Sequence, residues 1–189
     1  MSVLGELQPN KVFKYFEEIC SIPHGSRNLQ QISDYLVDFA KAHELKYRQD
    51  EDLNVIIWKD GSKGYEASEP VILQGHMDMV AVKEADCDKD MEKEGLDLEI
   101  NGDYISAKGT SLGGDDGIAV AYTLAVLDDE EMAHPPIEAI FTVNEEIGML
   151  GAATIDVSDL KGRLFMNMDS EDEGVFTVSC AGGASVICK

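Results

Sequence analysis

Helical stripes of apolar residues, short continuous apolar runs and clusters of turn residues divide this chain into alternating helices and strands. Val12, Phe13, Phe16 and Ile19 share one helical stripe behind Pro9-Asn10, a pairing that starts helices. Residues 20–26, with Pro23 and Gly25, break the stripe, and residues 29–43 resume it through Ile32, Leu36, Phe39 and Ala40. Residues 46–49 and 54–59 read as a short strand pair, and 60–64 as a turn. Val71-Ile72-Leu73, ending at Gly75-His76, predicts a central strand buried on both faces. Residues 83–94 are charged and irregular, the pattern of a solvated loop. Residues 96–100 and 104–107 alternate like a hairpin turning at Asn101-Gly102. Gly113-Gly114 opens an apolar helix over 118–127, followed by buried strands over 137–143 and 163–168 and a final strand over 174–179. Strands alternating with helices predict an α/β layered sheet.

Composition narrows the partners. The chain has 189 residues, enough for one domain with a real core, and its apolar content is ordinary. The formal charge of −22 repels nucleic acid and anionic membranes, so neither is an expected partner. Most of that acidity is explained by a well-solvated surface. Cys20, Cys87, Cys180 and Cys188 form no C-x-x-C pair, which removes zinc-finger and thioredoxin readings. The first ten residues lack a basic-then-apolar leader pattern, and the longest apolar run is too short for a membrane span. A cytoplasmic location with reduced thiols is the expectation.

The chemistry gathers at predicted strand ends, where α/β proteins place functional loops. His76 and Asp78 lie two apart, so both side chains can point the same way, and Asp78 could accept the spare N–H of a metal-bound His76. Taken alone, His-x-Asp is common. Asp115-Asp116 follows a glycine-rich turn that lacks the Lys-Ser/Thr of a phosphate loop. One Asp could cap the helix, leaving the other to bridge two cations. Glu145-Glu146 leaves a buried strand with Gly148 close behind, and two such carboxylates can divide metal binding from proton transfer. Asp169 is the first acid off its strand. Two divalent cations would bring four positive charges against three from Asp115, Glu146 and Asp169, and a shared hydroxide would complete neutrality. His24, His43 and His134 fall in a loop, at a helix end and in a proline-rich turn, and read as surface histidines.

Four segments together carry a resemblance: residues 75–80 (GHMDMV), 109–118 (GTSLGGDDGI), 144–152 (NEEIGMLGA) and 167–171 (NMDSE), with an early IPHGS at 22–26. They resemble the bacterial aminoacyl-histidine (Xaa-His) dipeptidases, or cytosol non-specific dipeptidases, among the di-zinc exopeptidases. The resemblance implies a layered α/β/α catalytic domain with a mixed central sheet, two divalent metal ions (zinc, with cobalt or manganese possible) and a small peptide substrate. It also implies roles: His76 and Asp169 on one metal, Glu146 on the other, Asp115 bridging, Asp78 orienting His76, and Glu145 as general base. A cis peptide after Asp115 is part of the same pattern. Family members are much longer, so residues 1–189 read as the N-terminal part of the catalytic domain. The lid, through which the full-length family forms homodimers, and a C-terminal catalytic segment bearing a further His ligand are expected to fall outside these residues. Such a part is expected to expose apolar surface and a bare sheet edge. A related tripeptidase, an N-acyl-amino-acid hydrolase and a catalytically inert metal-binding fragment are the competing readings.

Overall fold

The computed structural model describes residues 2–170, 174–179 and 182. Its centre is a five-stranded mixed sheet in the order β1-β2-β6-β3-β7. These strands are β1 (Lys46–Gln49), β2 (Val55–Lys59), β3 (Val71–His76), β6 (Ile137–Thr142) and β7 (Leu164–Asn167). A separate hairpin holds β4 (Leu98–Asn101) and β5 (Tyr104–Ala107). Strand β3 runs parallel to both β6 and β7, whereas β1, β2 and β6 pair antiparallel. Three parallel strands therefore release their C-terminal ends, at His76, Thr142 and Asn167, on one side of the sheet.

One face of the sheet is covered by α1 (Asn10–Cys20), α2 (Gln30–Ala42) and α3 (Gly114–Leu127), whose buried Phe16, Ile19, Leu36 and Leu124 pack with Ile57 and Phe141. Helix α3 is nearly all apolar because it is wedged between α1 and β3. The opposite face carries a smaller cluster of Ile56, Ile72 and Ile140, against which Ile155 and Leu160 pack after the short α4 (Leu150–Thr154). The layered α/β arrangement and mixed sheet agree with expectation. The reading of 163–168 as a buried strand is corrected: Leu164, Phe165 and Met166 of β7 are exposed, because among the described residues β7 is the outermost strand and pairs only with β3.

Several readings need correction. Residues 174–179 form no strand; their β-branched and aromatic residues favour one, but among the described residues none pairs with them. The hairpin turns at Gly102-Asp103, because Asn101 is still paired with Tyr104. His24 and His134 are buried, not surface residues. His24 sits under the site loops with its Nδ1 on the Ile22 carbonyl, and the His134 backbone is locked to Ser62. His43 is half-buried and stacks on Phe39. Cys20 is buried and Cys87 partly so, both free thiols; Cys180 and Cys188 lie outside the described residues, as do Glu171, Asp172 and Glu173. No helix among the described residues is long and apolar enough to cross a membrane.

Candidate metal centre

Three strand ends and one helix start supply the site. His76 is the last residue of β3 and only 1% exposed. Its Nδ1 donates to the Asp78 backbone carbonyl at 2.9 Å, and a carbonyl can only accept, so Nδ1 carries the proton. The Asp78 carboxylate is farther, at 3.5 Å. Asp78 thus meets the His76 Nδ1–H through its backbone carbonyl and not through its carboxylate. Nε2 is left facing the acids: Asp115 Oδ1 at 3.0 Å and Glu145 Oε2 at 3.9 Å.

Asp115 and Asp116 belong to the first turn of α3, but neither caps it. Gly113 is the N-cap, in left-handed backbone with no side-chain cap hydrogen bond. A Cβ there would also meet Met79 Sδ at 2.9 Å, so only glycine fits. The Asp115-Asp116 peptide is cis and both residues depart from helical geometry. Their side chains diverge. Asp115 faces His76 Nε2, whereas the buried Asp116 accepts the backbone N–H of His76 at 3.1 Å. Sequence reasoning gave Asp116 no role; the signal available was Gly75, which lets α3 approach β3. A Cβ on Gly75 would lie 2.9 Å from Asp116 Oδ2 and 3.1 Å from the Ala119 Cβ. Because Asp116 is held by His76, it cannot yield. Gly75→Ala is expected to cost about 1–3 kcal/mol by overpacking, read as a lower unfolding midpoint in denaturant.

Glu145 and Glu146 sit on a tight loop between β6 and α4. Asn54 clamps its base, accepting the Val143 N–H at 3.1 Å and donating to the Gly151 carbonyl at 3.4 Å. Inside the loop the Glu145 carbonyl accepts from Gly148 and Met149 at 2.9 and 2.8 Å. The loop is further held from β3: Asp78 Oδ1 accepts the Glu145 N–H at 2.9 Å, and Oδ2 accepts the Glu146 N–H at 3.4 Å. Asp169 follows β7, whose entry is fixed by the buried Glu138 accepting the N–H groups of Lys161 and Gly162.

Two groups of potential ligand atoms result, each mutually within 4.8 Å: His76, Asp115 and Glu146, and His76, Glu145 and Asp169. All six expected site residues therefore meet at one place, Asp78 beneath the other five. One imidazole with several carboxylate oxygens is a donor set suited to Zn, Co or Mn. The electrostatics fit a cation as well. Burial alone would depress the His76 pKa, but Asp78, Asp116 and Asp115 overcome it and push it up to about 10. Burial raises Asp116 to about 7 against the pull of His76, with Asp169 and Asp115 adding to the rise. Glu145 is raised by burial, then by Asp169, Asp78 and Asp115; Glu146 is raised by burial and then by Asp115. A pocket that draws protons onto so many groups is short of positive charge. Open cavities of about 370 Å³, lined by Asp115, Asp116 and Asp169, and about 270 Å³, lined by Thr142, Glu145, Phe165 and Asp169, flank it.

Comparison with known proteins agrees with this picture. No protein-family model matches the chain. It is 40% identical over 183 residues, 97% of its length, to the cytosol non-specific dipeptidase of Escherichia coli, of which it covers 38%. Its fold matches the aminoacylhistidine dipeptidase of Vibrio alginolyticus with a TM-score of 0.87 and 40% identity, covering 90% of this chain and 35% of that one. A tripeptidase of Staphylococcus aureus shares the fold at a TM-score of 0.72 and 23% identity, over 89% of this chain and 45% of that one. The chain thus spans well under half the length of either dipeptidase. Across nearly its whole length it is similar in sequence and fold to these two dipeptidases.

Proposed function

We propose that this chain supplies most of the metal site of a metal-dependent dipeptidase acting on Xaa-His and other dipeptides. The observation that carries the reading is the convergence of His76, Asp115, Glu145, Glu146 and Asp169 at the ends of three parallel strands and the start of α3. The names of the similar proteins supply the substrate class: a dipeptidase and an aminoacylhistidine dipeptidase. A cytoplasmic location follows the same likeness.

In this reading His76 and Asp169 would hold one metal and Glu146 the other, with Asp115 available to both. The 3.0 Å approach of Asp115 to His76 Nε2, and its place within 4.8 Å of Glu146, support the bridging role. The bound metals would activate a water and polarise the scissile carbonyl. Glu145, beside His76 but held by a different loop, would serve as the base that takes a proton from the water and returns it to the leaving amine. Asp78 fixes His76 through its carbonyl and the Glu145-Glu146 backbone through its carboxylate. The cavities on either side of the acids leave room for the groups flanking a scissile bond.

We also infer that the described ligands leave one metal a donor short, since Glu146 and Asp115 alone are few for a zinc site. The part-domain organisation and dimerisation through a lid belong to this same proposal. The decisive measurement uses the intact protein: metal content, and hydrolysis of an Xaa-His dipeptide before and after a chelator. Activity should vanish with the metal and return with Zn, Co or Mn. Full hydrolysis by metal-free protein would overturn the reading, and a tripeptide cleaved in preference to dipeptides would favour the tripeptidase alternative.

A further inference from the structure

We propose that Ser26 is a positioning residue for the metal centre, acting through Asp78 on the loop that carries Glu145 and Glu146. The inference rests on the metallodipeptidase reading above. The Asp78 side chain is fully buried, and its carboxylate has four neighbours drawn from three separate parts of the chain. Glu145 donates its N–H to Oδ1 at 2.9 Å, Glu146 reaches Oδ2 at 3.4 Å, and His76 Nδ1 lies 3.5 Å from Oδ1. The fourth neighbour is the Ser26 hydroxyl, which donates to Oδ2 at 2.8 Å.

The Glu146 bond is the long one, so the backbone donors alone hold Oδ2 loosely. Ser26 makes the shortest contact to the carboxylate and sets the plane in which both oxygens meet their backbone donors. It can do so because its own loop is braced twice. The Ser26 N–H donates to the Met79 carbonyl at 3.2 Å, and the Met79 N–H donates to the His24 carbonyl at 3.2 Å. On the other side the Arg27 N–H donates to Asn144 Oδ1 at 2.8 Å, one residue before Glu145. The loop after α1 therefore touches both the β3 end and the β6 loop, and Ser26 is where the two are joined through a carboxylate. Direct hydrogen-bond partners of metal ligands tune metal affinity by about 10–100-fold, and Ser26, one bond further out through Asp78, falls at the low end of that range.

The test compares Ser26→Ala, Ser26→Thr and Ser26→Cys with the wild type in the intact protein. Zinc affinity is measured by competition with a chromophoric chelator, melting is followed on metal-free protein, and kcat and KM are measured on an Xaa-His dipeptide. Ser26→Ala is expected to weaken zinc binding about tenfold and to lower kcat while KM stays within about twofold and melting is little changed. Threonine, which keeps the donor, should restore both; cysteine, a weak donor of similar volume, should fall between and serves if alanine does not fold. Zinc affinity and kcat equal to wild type in the alanine or cysteine variant would overturn the inference, as would a loss that threonine fails to rescue. A wild-type protein that binds no zinc sinks the metallodipeptidase reading itself, and this inference with it, a result distinct from variants that bind as wild type does.

Discussion

Glu145→Gln is expected to cut kcat on an Xaa-His dipeptide by about 10²–10⁴-fold and to leave metal content unchanged. Glutamine keeps the size of the side chain and the backbone N–H that Asp78 accepts, so the loop is not disturbed. What disappears is the ability to take a proton. Glu145 suits that task better than Glu146 on two observations. Its Oε2 is 3.9 Å from His76 Nε2, at the centre of the acids, and its backbone is the more tightly held of the two. The companion variant, Glu146→Gln, should lose metal as well as rate. Steady-state kinetics and metal analysis on both proteins separate the roles. A Glu145→Gln protein that turns over normally, or one that loses metal while Glu146→Gln keeps it, would exchange or remove the assignments.

The elements nearest the site were the most legible in the sequence. Strands β3 and β6 are short apolar runs because each is paired on both edges within the sheet, and their ends point directly to His76 and to Glu145-Glu146. Asp115 and Asp169 follow from the same logic, a polar residue directly after an apolar or glycine-rich stretch. What stayed hidden depends on partners distant in the chain. Nothing near Ser26 announces a bond to a residue 52 positions away, and nothing near Asp78 announces a bond to a backbone 67 positions away. A cap at this helix start is the local reading for one of the two acids, and Asp116 is not one. It instead reaches across to β3, because Gly113 takes the N-cap position and Asp115 and Asp116 leave helical geometry. Glu138 is a charged residue inside a strand read as apolar, and its burial makes sense only once Lys161 and Gly162 bring their N–H groups to it. His24 and His134 are buried because long-range bonds tie their loops to the body, His24 to Met79 and His134 to Ser62, which no local pattern announces.

Asp78→Ala should be the most damaging single change to the metal-free protein. The substitution leaves the Glu145 N–H without its acceptor, frees the Ser26 hydroxyl and removes the negative charge beside His76. Stranded buried donors and a broken buried charge contact together cost about 3 kcal/mol. Denaturant unfolding of metal-free wild type and variant measures it. The pH dependence gives a second signature. Burial opposes ionisation of Asp78, yet His76, the Glu145 N–H and Ser26 outweigh it and hold the pKa below the usual aspartate value. A lowered folded pKa means the unfolded chain binds the proton more readily, so this contribution is complete above the ordinary aspartate range. It is lost as pH falls through the lowered folded value. The stability gap between wild type and variant should therefore narrow on acidification across that window. Asp78→Asn separates shape from charge: its amide oxygen can still accept from Glu145, so it should recover part of the stability but not the pH dependence. A gap that stays constant with pH, or an alanine variant as stable as wild type, would mean the loops are held by something other than this carboxylate. Metal affinity should fall with stability, because the residues that Asp78 ties together are those on which the ligands stand.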